Sequence, residues 1–329
     1  MKTSVEYAVV IPTIGRPCLA DCLGALAEST GPRPAEVVVV DDRPEPRDGL
    51  PPGSAGQPHV RVLTTGGRGP AAARNAGARA VGAPWVVFLD DDVQVLPDWG
   101  ERLAEDLASA GERTAGVQGR LTVPLPEDRR PTDWERGTAG LESAAWATAD
   151  MAYRATALKE VGGFDERFPR AFREDADLAL RVMDAGWTLA RGGRTTRHPV
   201  RPAGRWASVR AQRGNADDVL MNRLHGRDWW TRAEAPRGRL PGHLATTALA
   251  CAAVACAAAG RPRAAALAAV LWTASTAEFA RARIAPGPRT RDEIATMAAT
   301  SVVIPPAAAW HWTAGRVRHR RVRPPGGAR

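Results

Sequence analysis

Cysteine and lysine are both scarce in this 329-residue chain, and both shortages are informative. Its 4 cysteines are too few for a disulfide-stapled miniprotein. Cys18 and Cys22 stand at helical spacing, and Cys251 and Cys256 lie in an alanine-rich stretch. Neither pair has a Cys-x-x-Cys or Cys/His zinc spacing, so free thiols in a reducing compartment are expected. Lysine occurs only at positions 2 and 159, and the arginine surplus in part reflects coding bias. No apolar core of about 7–15 residues precedes a small-residue cleavage site near Met1, so no signal peptide is expected. No internal repeat of about 20–50 residues is visible either. With 44% hydrophobic and 25% charged residues, full disorder is excluded. The length suits one large domain with an appendage, or two domains.

The net charge of +9 invites a nucleic-acid reading, but the charge is unevenly placed. Residues 1–200 carry 24 Lys+Arg against 29 Asp+Glu, and residues 201–329 carry 21 against 7. A nucleic-acid binder needs a basic folded domain with interleaved aromatics, and the first 200 residues are acidic. No nucleic-acid partner is therefore expected. The basic C-terminal third is a clue to another acidic surface.

Along the N-terminal part, short apolar runs alternate with helical patterns. Tyr7 to Ile11 (YAVVI) reads as a strand stopped by Pro12, and Glu36 to Val40 (EVVVV) as a second that ends in Asp41-Asp42. Val60 to Leu63 is a third, and Trp85 to Leu89 (WVVFL) a fourth that runs into Asp90-Asp91-Asp92. Helices are expected from Pro17, over Pro70–Val81, and from Pro97 to about Ala110, with residues 43–58 as a Pro/Gly-rich loop. Continuous apolar strands separated by helices predict an α/β fold, with a mostly parallel sheet covered on both faces. In such sheets ligands bind beyond the carboxyl ends of strands, which is where these carboxylates collect.

Three adjacent aspartates at a sheet edge repel one another unless a cation or hydrogen-bond donors are present. A hard ion such as Mg²⁺ or Mn²⁺ takes one or two protein carboxylates and completes its shell with phosphate oxygens and water. Residues two apart in extended chain face the same side, so Asp90 and Asp92 can act together. The plainer alternative is a solvated acidic turn with Asp98 capping the next helix. Asp41-Asp42 equally fits an Asx-type turn. Glu174-Asp175 precedes the helical pattern Leu178, Leu180, Val182, Met183, where the helix dipole alone favours acids. Asp177 fits that plain role, with Arg181 as its i,i+4 partner.

Taken in order, these pieces resemble an inverting family 2 glycosyltransferase with a GT-A fold, over roughly residues 7–200. The matching pieces are Val-Val-Ile-Pro12-Thr13, Val-Val-Val-Val-Asp41-Asp42, Gly69-Pro-Ala-Ala-Ala-Arg74-Asn75-Ala-Gly77 and Phe88-Leu-Asp90-Asp91-Asp92. They continue with Asp150-Met-Ala-Tyr-Arg154, Val161-Gly-Gly-Phe-Asp165-Glu166 and Glu174-Asp175-Ala-Asp-Leu-Ala-Leu-Arg181. The resemblance implies a nucleotide-diphosphate-sugar donor, such as a UDP-sugar, and a hydroxyl acceptor. Pro12, Thr13 and Asp41 would line the nucleoside pocket, with Asp41 accepting a hydrogen bond from the base, and Arg74 and Asn75 beside the nucleotide. Asp92 would hold Mn²⁺ or Mg²⁺, with Asp90 or Asp91 toward the ribose, and His198 could complete the metal shell. Asp175 would be the base for the acceptor hydroxyl, and Glu174 would shape the acceptor pocket. After Asp41-Asp42 the family often continues Gly-Ser, whereas this chain has Arg43-Pro44. The Gln-x-x-Arg-Trp signature of processive synthases is missing, so single addition is expected.

Two other enzyme-fold readings compete. A sugar-phosphate nucleotidyltransferase needs a Gly-rich phosphate loop after strand one, where this chain has a single Gly15-Arg16. A catalytically dead scaffold would not be expected to keep Asp92 and Asp175. The domain expectation is a catalytic unit at 1–205, a basic linking segment at 206–243, and an alanine-rich helical region at 244–329. Leu244–Gly260, Ala264–Ala277 and Ile294–Gly315 are uncharged stretches, and the segments between and after them carry most of the arginines of this region. They approach the length of about 20 residues that spans a bilayer, and the arginines suit an anionic cytoplasmic leaflet. Trp272, Trp310 and Trp312 are consistent with interfacial anchoring. Pro305-Pro306 is expected to break the third stretch into a re-entrant or interfacial segment. The expected setting is the cytoplasmic face of a membrane, with a lipid-linked or cell-envelope glycan acceptor.

Overall fold

The computed structural model describes residues 5–46, 48–51 and 60–322. Part of the Pro/Gly-rich loop (52–59) and the end of the basic tail (323–329) lie outside the described residues. The chain divides into two compact units. One comprises Met1–Pro124, Gly140–Pro199 and Thr231–Ala235; the other comprises Leu125–Ala139, Val200–Trp230 and Pro236–Arg329.

In chain order the elements are β1 (Tyr7–Thr13), α1 (Cys18–Glu28), β2 (Glu36–Asp41), β3 (Val60–Thr64), α2 (Pro70–Ala80), β4 (Trp85–Leu89), β5 (Gln94–Val95) and α3 (Trp99–Ser109). Then follow β6 (Thr114–Thr122), α4 (Asp133–Ala139), β7 (Asp150–Arg154), α5 (Ala155–Glu160), α6 (Glu174–Asp184) and β8 (Thr188–Arg197). The chain closes with α7 (Ala207–Arg210), α8 (Gly214–His225), α9 (Trp229–Arg232), α10 (Leu240–Ala258), α11 (Pro262–Ile284) and α12 (Arg291–Arg318).

The eight strands form one sheet in the order β3-β2-β1-β4-β7-β6-β8-β5. The β3-β2-β1-β4 half is parallel throughout, whereas β7 runs antiparallel to both β4 and β6. Successive residues of the central strands enter opposite cores. Val9, Ile11, Val39, Val87 and Leu89 pack with Leu19, Leu23, Trp99 and Leu103 on one face. Val10, Val38, Val40, Val86 and Phe88 pack with Ala71, Ala73, Leu178 and Val182 on the other. Burial on both faces is why YAVVI, EVVVV and WVVFL show no polar alternation. Gly77 lets α2 lie close on the sheet: a Cβ there would stand 2.3 Å from Val10 Cγ1.

Contrary to the sequence expectation, Pro12 does not stop β1, which runs on to Thr13. The pairing of β1 with β4 ends at Val10, so Pro12 lies in a stretch whose paired neighbour is β2 alone. A missing N–H is tolerated at such an edge-like position. After β3 the chain returns to place β4 on the other side of β1. The strand order therefore reverses at β1, and a crevice opens beyond the carboxyl ends of β1 and β4.

In the other unit, α10 and α11 pack as an antiparallel pair against α12, and α12 packs on α8. Gly315 of α12 allows the last contact, since a Cβ would fall 2.7 Å from Ala216 Cα. Arg283 is buried and centres a polar knot. It donates to Asp133 at 2.8 Å, Thr300 Oγ1 at 2.8 Å and the hydroxyls of Ser301 and Ser208 at 3.1 Å. Residues 294–315 are not broken at Pro305-Pro306; α12 runs through both. Two ladder hydrogen bonds are lost there, and burial of Ile304, Pro305 and Ala308 offsets them. Outward-facing apolar residues are frequent here: Val254, Leu267, Val270, Leu271 and Trp310 are all exposed. Among the described residues one helix, Leu240–Ala258, is long and apolar enough to cross a membrane.

Candidate active site

The site is built at the reversal of strand order. Asp90, Asp91 and Asp92 follow β4 directly and alternate in direction. Asp91 turns toward β1, accepting from Thr13 Oγ1 at 2.6 Å and from Arg16 Nη1 at 2.7 Å. Burial still raises its pKa, as do Asp92 and Asp90 to a smaller degree, against the pull of Thr13 and Arg16. Asp90 and Asp92 face the other way, as their spacing predicts. They form with His198 a group whose candidate ligand atoms lie within 4.8 Å of one another.

Sheet register brings His198 there across more than a hundred residues. β5 pairs antiparallel with β8 through Gln94–Arg197 and Val95–Thr196, so the residues flanking these strands, Asp92 and His198, come side by side. The His198 backbone N–H donates to Thr122 O at 2.8 Å, which fixes the residue at the end of β6. Its Nε2 stands 3.7 Å from Asp92 Oδ1, and its buried Nδ1 has no partner among the described residues. Two ligands across an ion with bonds of about 2.1 Å are about 4.2 Å apart, so a small closure of this group accepts a divalent cation. Two carboxylates and an imidazole suit Mn²⁺, and Mg²⁺ with more water in its shell.

Arg74 on α2 crosses the floor of the site. It is buried and donates to Asp90 at 2.7 Å and to Glu174 at 2.8 Å. Glu174 and Asp175 open α6, entered through Arg173 at φ 75, which sets the angle of the first turn. Burial, and then neighbouring Asp175, push Glu174 up to about 8, although Arg74 opposes them. Its Oε2 is buried without a partner among the described residues. Asp175 is half-buried and accepts from the Ala176 N–H at 2.7 Å. Removal from water raises its pKa, against that hydrogen bond and the charges of Arg74 and Arg173.

The remaining residues singled out in the sequence fall nearby with defined partners. Asn75 holds the loop before α6: its Nδ2 donates to Phe164 O at 2.9 Å, and its Oδ1 accepts from Phe164 N at 2.8 Å. Pro12 and Thr13 register with Val40 and Asp41. Asp41 is buried and closed over by Arg43. Asp42 accepts from Thr65 Oγ1 at 2.6 Å, Arg68 N at 2.8 Å and Gly69 N at 2.7 Å, tying the loop before α2 to the end of β2. Asp177 pairs with Arg181 at 2.7 Å, as its spacing predicts. Asp98 sits at the N-cap of α3 with no side-chain cap bond; it pairs with Arg102 instead. Sequence reasoning missed Arg16 and Arg43 as partners of the aspartates. The one signal was a cationic residue two positions beyond Asp41, where a Gly is common in the family resembled.

This arrangement defines a class of protein: a mixed α/β fold with an acidic, metal-competent crevice where the strand order reverses. Residues 8–157 match the model of glycosyl transferase family 2, which places that segment in the family. A pre-mycofactocin glycosyltransferase of Mycobacterium tuberculosis is 32% identical over 136 residues, covering 37% of this chain and 28% of that protein. A succinoglycan biosynthesis protein of Rhizobium meliloti is 38% identical over 81 residues, covering 24% of this chain and 23% of that protein. The matches thus span about a quarter of the length of these curated relatives. In fold, the chain resembles a mannosyltransferase of Pyrobaculum calidifontis solved with GDP-mannose and Mn²⁺. The TM-score is 0.54 at 20% identity, over 95% of this chain and 88% of that one.

Proposed function

We propose that this protein is a metal-dependent, inverting glycosyltransferase that moves a sugar from a nucleoside-diphosphate donor, a UDP-sugar in the first instance, to a hydroxyl acceptor. The observation that carries the reading is the convergence of Asp90, Asp92 and His198 beyond β4, with Glu174 and Asp175 beside them. Asp92 and His198 would hold Mn²⁺ or Mg²⁺, with Asp90 toward the ribose, and Asp91 fixes the end of β1 through Thr13. A divalent ion held there would supply positive charge for the leaving diphosphate. Asp175 takes the proton of the acceptor hydroxyl as that oxygen bonds to the anomeric carbon and the carbon–phosphate-oxygen bond breaks. Removal from water raises its pKa, which makes it a stronger base than a solvated carboxylate. Arg74 keeps Asp90 and Glu174 in place, and Glu174 borders the acceptor. Pro12, Thr13 and Asp41 face the nucleoside, and Asn75 supports the wall of the pocket.

The second unit supports membrane association. The 19-residue α10 is about 28 Å long, close to the hydrocarbon thickness of a bilayer. The arginines flanking α10 and α11 suit anionic headgroups on the cytoplasmic side. A lipid-linked or cell-envelope glycan acceptor follows from that setting. The test is calorimetric titration of the detergent-extracted full chain with UDP and GDP, each with and without Mn²⁺. Metal-dependent binding of one nucleotide, lost in Asp92→Ala, is expected. Folded protein that binds neither nucleotide refutes the donor site.

A further inference from the structure

The turn after β2 is fixed from both sides. Asp42 is tied to the 65–69 loop by three hydrogen bonds, and a Cβ on Gly67 would stand 2.7 Å from Pro44 Cγ. On the opposite side, the Arg43 arm lies across Gly15, where φ is +77 and a Cβ would stand 3.0 Å from Arg43 Cδ. The backbone of Arg43 is therefore set, and its side chain reaches back onto Asp41. Arg43 Nε lies 2.9 Å from Asp41 Oδ1 and 3.0 Å from Oδ2; Nη2 lies 2.6 Å from Oδ2, and the Arg43 backbone N–H 3.1 Å from Oδ1. These contacts use three hydrogens, the Nε–H being shared between the two oxygens, on a carboxylate with about four lone-pair directions. A second bond from Nη2, to Asp48 O at 2.9 Å, anchors the guanidinium from outside.

A carboxylate in this state has at most one lone-pair direction left and its side chain is 4% exposed, so the ring N–H of a nucleobase must compete with Arg43 for it. Uracil and guanine each offer such an N–H beside a carbonyl; cytosine offers a lone pair there instead. We propose that Arg43 is the specificity-determining residue of the donor pocket, a side-chain gate that closes Asp41 to N–H-bearing bases and must swing away before one is bound. The inference rests on the donor-site reading above. Arg43 is partly exposed, at 21% of its side-chain surface, whereas Asp41 is at 4%; the arginine is the partner free to move toward solvent. Each binding event of such a base then includes breaking the Arg43–Asp41 pair.

The experiment compares the detergent-extracted full chain with Arg43→Ala and Arg43→Gln, titrated with UDP, GDP and CDP in Mn²⁺, with a thermal melt of each variant. Arg43→Gln keeps one hydrogen-bond donor near the buried Asp41, so a fold lost in the alanine variant still leaves a readable protein. The gate predicts that removing Arg43 tightens UDP or GDP binding by about fivefold, the size of a partly exposed ion pair, while CDP does not follow. Weaker binding of the preferred nucleotide would overturn the proposal, because Arg43 would then be a contact and not a gate. Equal affinities in wild type and variants would overturn it too. If folded wild type and both variants bind no nucleotide, the donor-site reading itself falls, and this inference with it.

Discussion

Arg74→Met tests the charge arrangement at the centre of the site. Arg74 is 1% exposed and joins Glu174, 2% exposed, to Asp90. Methionine keeps most of the volume and removes both charge-assisted hydrogen bonds. Breaking a buried pair by deleting one partner costs about 3–5 kcal/mol, because the other charge is stranded. Here Glu174 escapes part of that cost by staying protonated, since its pKa is already pushed up to about 8 and Arg74 opposes that rise. The expected loss is therefore near the lower end, about 3 kcal/mol, or a fall of about 10 °C in Tm. The assay is urea unfolding with thermal melts across pH. The double variant Arg74→Met/Glu174→Gln, which no longer strands Glu174 and leaves only the partly exposed Asp90 without its partner, should recover part of the loss. A loss below about 1 kcal/mol, or a double variant no better than the single at neutral pH, refutes the reasoning.

The same raised pKa sets a pH dependence. Glu174 contributes fully below its unfolded value of about 4.3, and its contribution is lost as pH rises toward 8, so wild type should lose stability relative to Glu174→Gln over that window. Asp92→Asn and His198→Gln should each weaken Mn²⁺-dependent nucleotide binding by about 10–100-fold with the melt unchanged, and isothermal titration reads this directly. Gly163→Ala should destabilise by about 2 kcal/mol, because φ is +74 and the new Cβ would stand 2.4 Å from Asn75 Oδ1; chemical unfolding measures it. In the helical unit, Arg283→Met should cost about 3 kcal/mol by stranding Asp133, with limited proteolysis locating the opening near α4.

The parallel half of the sheet was legible because its strands are buried on both faces and carry little but β-branched residues. The positions of Asp90 and Asp92 followed from strand alternation alone. The mixed half was hidden by its polarity. β6 and β8 read TAGVQGRLT and TLARGGRTTR because they enclose a charged core. There Arg194 is fully buried and donates to Asp150 at 2.8 Å and to Asp106 at 3.0 Å. Glycines make room for it: a Cβ on Gly119 would stand 2.3 Å from Asp150 Oδ2, and one on Gly192 2.1 Å from Asp106 Oδ2. Neither hydrophobic periodicity nor propensity registers such a network. His198 could be named from the resemblance, but its meeting with Asp92 depends on a two-residue strand that leaves no trace in composition. The closure of Asp41 by Arg43 was invisible for another reason: a side chain folding back two residues depends on the space Gly15 leaves in the loop after β1.

That two-residue strand also has a mechanical consequence. β5 is held by only two registered pairs at the margin of the sheet, so this edge is among the first places expected to open by local fluctuation. An ion gripped by Asp92 on one side and His198 on the other would act as a rivet through that hem. Binding energy spent on metal would then appear as slower amide exchange at Val95, Leu96 and Thr196. The rim of the sheet would report, in minutes-to-hours exchange, whether the centre is loaded.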